Sequence, residues 1–159
     1  MKFILPVLIC LFSSLTQAEK CKPQQLVKIE DITTCAKKGD NSAQYLLGEI
    51  YFQGKEAPKN YKASFEWMFM AARQGNKNAQ NSLGFNYYNG WGTKKDYVLA
   101  YVWWSMSIVN NEEPITRINL DHLEGELSPK ELERAQRLAG EWLVPRESQP
   151  QASEQSQRK

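Results

Sequence analysis

Two stretches in the middle of the chain carry apolar residues at helical spacing. Between Asn41 and Phe52, plotted at about 100° per residue, one side of a helix collects the apolar positions. They are Ala43, Leu46, Leu47, Ile50 and Tyr51. Asp40 is suited to cap this helix at its start, and Gly54 to end it. A second helix is predicted from Tyr61 to Gln74, and its apolar residues cover so much of its circumference that neighbours should pack on both sides.

This pattern is repeated with a period of 36 residues. Residues 36–71 align without gaps to residues 72–107, and twelve aligned pairs are identical. The pairs are Ala36/Ala72, Gly39/Gly75, Ala43/Ala79, Gln44/Gln80, Leu47/Leu83, Gly48/Gly84, Tyr51/Tyr87, Gly54/Gly90, Lys59/Lys95, Tyr61/Tyr97, Trp67/Trp103 and Met70/Met106. Gly48 and Gly84 fall in mid-helix, where Gly costs about 1 kcal/mol relative to Ala. Because both copies carry this cost, we predict that another helix approaches closely at each glycine.

The repeated motif is A-x-x-G-x-x-x-A-Q-x-x-L-G-x-x-Y-x-x-G, followed by Asn or Asp before Tyr, and then by Trp. It resembles the Sel-one-like repeat (SLR), a member of the tetratricopeptide-like superfamily. The resemblance implies an all-α protein, an α/α solenoid of stacked helical hairpins, with full repeats at 36–71 and 72–107. The first repeat departs from the family pattern at Glu56, where the second has Gly92.

Partial units flank the two repeats. Residues 19–35 are predicted to be an N-terminal half-unit, and residues 108–144 a diverged pair of C-terminal capping helices. The first capping helix has apolar residues at helical spacing, namely Ile115, Ile118, Leu120, Leu123 and Leu127. The second opens with a capping box from Ser128 to Glu131 and stops before Pro145. Residues 145–159 hold no large apolar residue, which predicts a disordered tail.

The N-terminus has the features of a secretory signal peptide. Lys2 precedes an apolar run from Phe3 to Leu15, and small residues lead to a cleavage point near Ala18. The run is too short for an ordinary transmembrane helix and no second run of about twenty apolar residues follows, so we expect no integral membrane span. Lipidation of Cys10 is a weaker alternative, because a bulky residue precedes it. Residues 1–18 are thus predicted to be a signal peptide, and the mature chain to be a bacterial periplasmic or secreted protein.

Cleavage would leave two cysteines, Cys21 and Cys35. An even pair in an oxidising compartment favours a disulfide, and no histidine lies nearby to complete a zinc site. A straight helix from Gln24 to Lys38 would carry Cys35 about 16 Å beyond Gln24, too far for Cys21 to reach. Either the helix begins later, near Asp31, or the cysteines stay unpaired. We expect the bridge.

Charge and chemistry exclude several classes of function. The formal net charge is only +2, whereas nucleic-acid-binding proteins carry a strongly basic surface, so we expect no nucleic-acid partner. We also expect no cofactor and no metal. The single histidine, His122, lies close in sequence to Asp121 and Glu124. An envelope hydrolase using His122 with these carboxylates is the alternative function, but a surface histidine is the simpler interpretation and we expect no enzyme.

Binding is the function that the resemblance implies, because the concave surface of a solenoid usually holds a partner. The candidates lie on the first helix of each repeat, and one of them, Trp91, lies in the loop that follows the first helix of the second repeat. They are Tyr45, Glu49, Phe52, Asn81, Phe85, Tyr88 and Trp91. Their aromatic rings are suited to anchoring a peptide. In a competing interpretation, Phe52, Phe85 and Tyr88 pack between units, and in another the protein is a structural subunit that forms a homodimer. We expect an exported adaptor or scaffold for a protein or peptide.

Overall fold

The computed structural model describes Cys21 and residues 28–109 and 114–143. The predicted signal peptide 1–18, Leu26 of the half-unit and the predicted tail 145–159 lie outside these residues. Within them the chain forms seven helices and no strand, which confirms the predicted all-α solenoid. The helices are α1 (Ile29–Lys37), α2 (Asn41–Gln53), α3 (Tyr61–Arg73), α4 (Lys77–Asn89), α5 (Tyr97–Ile108), α6 (Pro114–Glu126) and α7 (Pro129–Leu143).

Side-chain caps and glycines set the ends of the hairpin helices. The Asp40 carboxylate accepts a hydrogen bond from the Ala43 N–H at 2.7 Å, as predicted for the start of α2. Asn76 caps α4 in the same way, accepting from the Ala79 N–H at 3.0 Å. Gly54 ends α2 in the left-handed region, with φ of 74°. Both repeats therefore encode their helix ends locally.

One buried glutamine in each hairpin hydrogen-bonds to the helix that precedes the hairpin. Gln44 donates through Nε2 to the carbonyl oxygen of Ala36 at 3.1 Å, and Gln80 donates to Ala72 at 3.1 Å. The Asn76 amide also donates to the carbonyl of Asn41 at 3.3 Å, which joins the start of α4 to the start of α2. The repeated glutamines thus add a second hydrogen bond to a carbonyl oxygen at the end of the preceding helix, which also accepts from the N–H of Gly39 or Gly75.

The mid-helix glycines lie where the second helix of each hairpin comes closest. A Cβ added at Gly48 would lie 2.7 Å from Cγ of Met68 on α3. At Gly84, a Cβ would overlap the indole ring of Trp104 on α5. The predicted close approach is confirmed in both repeats.

The two C-terminal helices pack against α5, and α6 buries only part of its apolar surface. Thr116, Leu120 and Leu123 are buried, whereas Ile115 is 56% exposed and Ile118 is 60% exposed. The predicted apolar face is therefore divided: positions 116, 120 and 123 share one stripe of the helix, and the two isoleucines fall outside it. The Ser128 capping box is confirmed, since the Ser128 N–H donates to the Glu131 carboxylate at 3.0 Å.

At the N-terminal end, a disulfide joins Cys21 to Cys35, with Cα atoms 5.6 Å apart. The helix that carries Cys35 begins at Ile29, well after Gln24. Of the two predicted alternatives, the later helix start with a bridge is the one that the structure contains. None of the helices in the described part of the chain is long and apolar enough to cross a membrane.

Candidate partner-binding surface

Phe52, Tyr61 and Trp91 form an aromatic cluster, here called the junction cluster, between the two repeats. Phe52 lies 5.3 Å from Tyr61 and 5.1 Å from Trp91, measured between ring centroids. Tyr61 and Trp91 stack at 6.1 Å. The loop that carries Trp91 rests on α3, because a Cβ at Gly92 would overlap the Tyr61 carbonyl. Phe52 and Trp91 therefore join successive units while remaining half-buried.

Phe85 and Tyr88, one turn apart on α4, both contact Trp104. Phe85 meets the indole edge to face at 5.2 Å, and Tyr88 lies 5.7 Å from it. Tyr88 also stacks on Tyr97 at 5.2 Å. Both candidates are half-buried.

The Tyr88 hydroxyl links α4 to α6. It donates to Glu126 Oε1 at 3.2 Å. Burial raises the pKa of Tyr88, and the hydrogen bond to Glu126 raises it further, since both favour the neutral phenol. The phenol therefore stays protonated at neutral pH and acts as a hydrogen-bond donor between the second repeat and the capping helices.

Tyr45, Glu49 and Asn81 complete the predicted set. Tyr45 is half-buried against the apolar cluster between the repeats. Glu49 accepts a hydrogen bond from Gln53 Nε2 at 3.4 Å. Oδ1 of Asn81 is buried and accepts no hydrogen bond from the described residues. These three side chains share the first helices with Phe52 and Phe85 but contact different neighbours.

His122 lies on the exposed side of α6, with its side chain 64% exposed. Its Nδ1 is 3.7 Å from Glu126 Oε1, the oxygen that also accepts from Tyr88. Glu124 accepts instead from the Tyr101 hydroxyl at 3.1 Å. In a hydrolytic triad the histidine stands between the carboxylate and the nucleophile. Here the carboxylate stands between histidine and tyrosine, and the tyrosine pKa is raised, so this arrangement does not activate a nucleophile.

The described residues also hold no group of three or more His, Cys, Asp and Glu side chains placed to bind a metal ion. The sequence model of the Sel1 repeat matches residues 41–76 and 77–108, which begin at the first residues of α2 and α4. The chain is a Sel1-like repeat protein.

Two solved structures show the same architecture. The protective antigen c5321 of uropathogenic Escherichia coli strains, which has an SLR fold, superposes with a TM-score of 0.70 and is 34% identical over 72% of this Sel1-like repeat chain. The chain spans only 25% of that antigen. A Sel1 repeat protein from Oxalobacter formigenes gives a TM-score of 0.51 at 26% identity, covering 68% of this chain and 96% of the other. No curated protein sequence matches significantly.

Membership of this family supports a coarse function. Sel1 repeats commonly mediate protein–protein interaction, and proteins built from them are generally scaffolds without enzymatic activity. The repeats in this chain therefore point to a protein partner.

The sequence does not predict a surface pocket in this Sel1-like repeat protein, although one of the pocket's lining residues, Glu49, is a predicted binding candidate. A surface pocket of 260 Å³ lies at the N-terminal end of the solenoid, between α1, α2 and the loop that follows α2. We call it the N-terminal pocket, and its lining residues are Ile32, Leu46, Glu49, Ile50, Gln53, Lys55 and Glu56. Its signal in the sequence is the departure of Lys55 and Glu56 from Trp91 and Gly92 of the second repeat.

Proposed function

We propose that the chain is an exported interaction module that holds a protein or peptide on the surface formed by the first helices of its hairpins. The observation that carries this proposal is a division between shared and divergent positions on α2 and α4. The shared residues Ala43 and Ala79 are 0% exposed, and Leu47 and Leu83 are at most 1% exposed. Packing of the solenoid accounts for them.

The divergent positions on the same helices stay half-exposed. Tyr45 in the first repeat corresponds to Asn81 in the second, and Glu49 corresponds to Phe85. Stacking of the repeats does not require one chemistry at these positions, because two different residues are accommodated by the same backbone. Such positions are free to serve recognition, and in repeat proteins they commonly form the binding surface.

Phe85 is the strongest candidate anchor on this surface. Its ring is held edge to face by Trp104, so it is ordered before a partner arrives. Aromatic residues that are already rigid lose little conformational entropy on binding, which is why they often contribute most of the affinity. Phe52, Tyr88 and Trp91 extend the proposed surface, since each is only partly buried.

Export is supported by the apolar N-terminal run and by the disulfide. The Cys21–Cys35 bond would persist in an oxidising compartment, whereas a reducing cytosol would keep both thiols free. A periplasmic or secreted location is therefore part of the proposal.

The proposal is tested with a peptide-display library screened on the purified chain. Phe85→Ala is expected to weaken the selected peptides by about 10-fold or more, as for a central aromatic anchor. Phe85→Leu, which keeps an apolar contact with Trp104, separates lost recognition from lost packing. Glu66→Ala is the matched control, because Glu66 is exposed and belongs to α3, which is not part of the proposed binding surface. Selected peptides that bind equally well to both Phe85 variants and to the wild type would contradict the proposal.

A further inference from the structure

The N-terminal pocket lies where the described residues of the first repeat differ from those of the second. In the second repeat, the equivalent loop carries Trp91 and Gly92 and rests on the first turn of α3. Helix α1 is the counterpart of α3, but it begins at Ile29, which aligns with Phe65, one turn into α3. Helix α1 therefore lacks a counterpart of the first turn of α3, and the N-terminal pocket lies between α1, α2 and the loop after α2.

The same comparison explains the apolar floor of the pocket. Asn86 on α4 is 2% exposed, and its side-chain amide lies 3.7 Å from the Met68 sulfur of the preceding helix. The equivalent position on α2 is Ile50, which is only half-buried and faces the open pocket with Leu46 and Ile32. Leu46 and Ile50 are partly exposed and present apolar surface to solvent, whereas Ile32 is only 5% exposed. Covering the exposed part of Leu46 and Ile50 would be favourable.

The rim of the pocket carries an excess of negative charge. Glu49 and Glu56 contribute two carboxylates and Lys55 contributes one ammonium group, while Gln53 adds a neutral amide. A ligand that covers the floor would therefore meet a net negative rim. Complementary charge in such a ligand would be positive.

The size of the pocket limits what enters it. Its 260 Å³ lies below the range of about 300–1,000 Å³ that is typical of cofactor and drug-sized ligand sites. A single large aliphatic side chain fits this space better than a cofactor. The remainder of the ligand would lie across the rim.

We propose that the N-terminal pocket binds a partner peptide through one large aliphatic side chain, with a lysine or arginine next to it at the rim. This inference rests on the proposed function, because it names the chemistry of the partner at the Glu49 end of the same surface. The aliphatic side chain covers Ile32, Leu46 and Ile50. The neighbouring cation lies between Glu49 and Glu56.

The experiment uses the purified, ¹⁵N-labelled chain and three blocked tetrapeptides as probes. Their central residues are leucine–lysine, leucine–glutamate and serine–lysine, each between two glycines. Amide chemical shifts are followed at low ionic strength, because salt screens an exposed rim. The leucine–lysine peptide is expected to shift amides within residues 46–56 and to bind at least about 5-fold more tightly than either other peptide.

Two variants assign this preference to the pocket. Leu46→Ser introduces the residue that the second repeat carries at Ser82, so the hairpin backbone tolerates it, and it is expected to weaken the leucine–lysine peptide by about 5-fold or more. The double variant Glu49→Gln with Glu56→Gln is expected to bind the leucine–lysine and leucine–glutamate peptides equally. Glu66→Gln on α3 is the matched control for loss of a surface carboxylate and should leave the preference unchanged.

Shifts outside residues 46–56, equal binding of the three peptides, or an unchanged preference in the double variant would overturn the inference. If these results occur while Phe85→Ala still weakens the displayed peptides, only the pocket assignment fails. A different result separates the two proposals in the other direction. If the leucine–lysine peptide binds the pocket but the affinity of the library-selected peptides does not depend on Phe85 or Glu49, the proposed function is wrong and the pocket assignment is kept.

Discussion

The indole of Trp104 on α5 fills the space beside Gly84 on α4, where a Cβ would overlap the ring. Its counterpart in the first repeat is Met68 beside Gly48, a flexible side chain with Cγ 2.7 Å from the position of a Cβ. The two repeats thus share a glycine but place side chains of different stiffness against it.

This difference predicts unequal effects of the same substitution. Gly84→Ala is expected to lower the free energy of unfolding by up to about 2 kcal/mol, because overpacking costs about 1–3 kcal/mol and the better helix propensity returns about 1 kcal/mol. Gly48→Ala should be less destabilising than Gly84→Ala, because its Cβ would meet one side-chain carbon of Met68 at 2.7 Å and the Ser64 carbonyl oxygen at 3.3 Å, without overlapping a ring. Urea unfolding of both variants measures the difference.

Gly140→Ala provides the control for this comparison. Gly140 lies within α7, and a Cβ there would meet no atom within 4 Å. The substitution should therefore raise the free energy of unfolding by about 0.5–1 kcal/mol through helix propensity alone. Equal effects at positions 84 and 140 would show that the contact with Trp104 is not decisive.

The disulfide should stabilise the N-terminal end of the solenoid. Cys21 and Cys35 are separated by 14 residues, and closing a loop of this size contributes about 3 kcal/mol. Cys21→Ser, or reduction of the wild-type chain, is expected to lower the Tm measured by circular dichroism. Adding the reductant to Cys21→Ser itself is the control and should produce no further decrease. A wild-type Tm that is insensitive to reductant would contradict this prediction.

The capping box of α7 predicts a contribution to stability that depends on pH. Hydrogen bonds from the Ser128 hydroxyl and backbone N–H lower the pKa of Glu131 from its ordinary value of 4.5. A carboxyl with a lowered pKa in the folded state contributes stability above pH 4.5, and that contribution is lost as the pH falls through the folded value. Glu131→Gln should therefore destabilise the protein at pH 7 and have a smaller effect near pH 3.

Urea midpoints at the two pH values measure this effect. Glu133→Gln, an exposed substitution on the same helix, serves as the control for loss of a charge. Equal destabilisation by Glu131→Gln at both pH values would show that the capping carboxylate is not responsible.

The exposed isoleucines of α6 test the alternative of a homodimer. Because Ile115 and Ile118 are more than half exposed, replacing both by Ser should change the free energy of unfolding by less than about 0.5 kcal/mol each. Leu120→Ser, on the buried stripe of the same helix, should destabilise the chain by several kcal/mol. Sedimentation measures the mass of the wild type and of the double variant. A wild-type dimer that dissociates in the double variant would identify this face as the interface between two copies.

Much of the fold follows from local signals in the sequence. The helix ends at Asp40, Asn76 and Gly54 depend on a side chain or a φ angle within one turn of the chain. The repeat period and the two mid-helix glycines likewise predicted hairpins that approach closely, without knowledge of what lies opposite. These features could be predicted because each is decided by residues close together in sequence.

The tertiary structure decided how exposed residues of similar chemistry are used. The sequence assigns Phe52 and Trp91 to a partner surface, and the structure places them against each other and Tyr61 at the junction between the repeats. Ile118 and Leu120 are both apolar, yet only Leu120 is buried. The physical reason is that helical periodicity defines a face, whereas the neighbour that covers this face is set by how the hairpins stack. The N-terminal pocket shows the same limit, since it depends on α1 beginning one turn later than its counterpart α3.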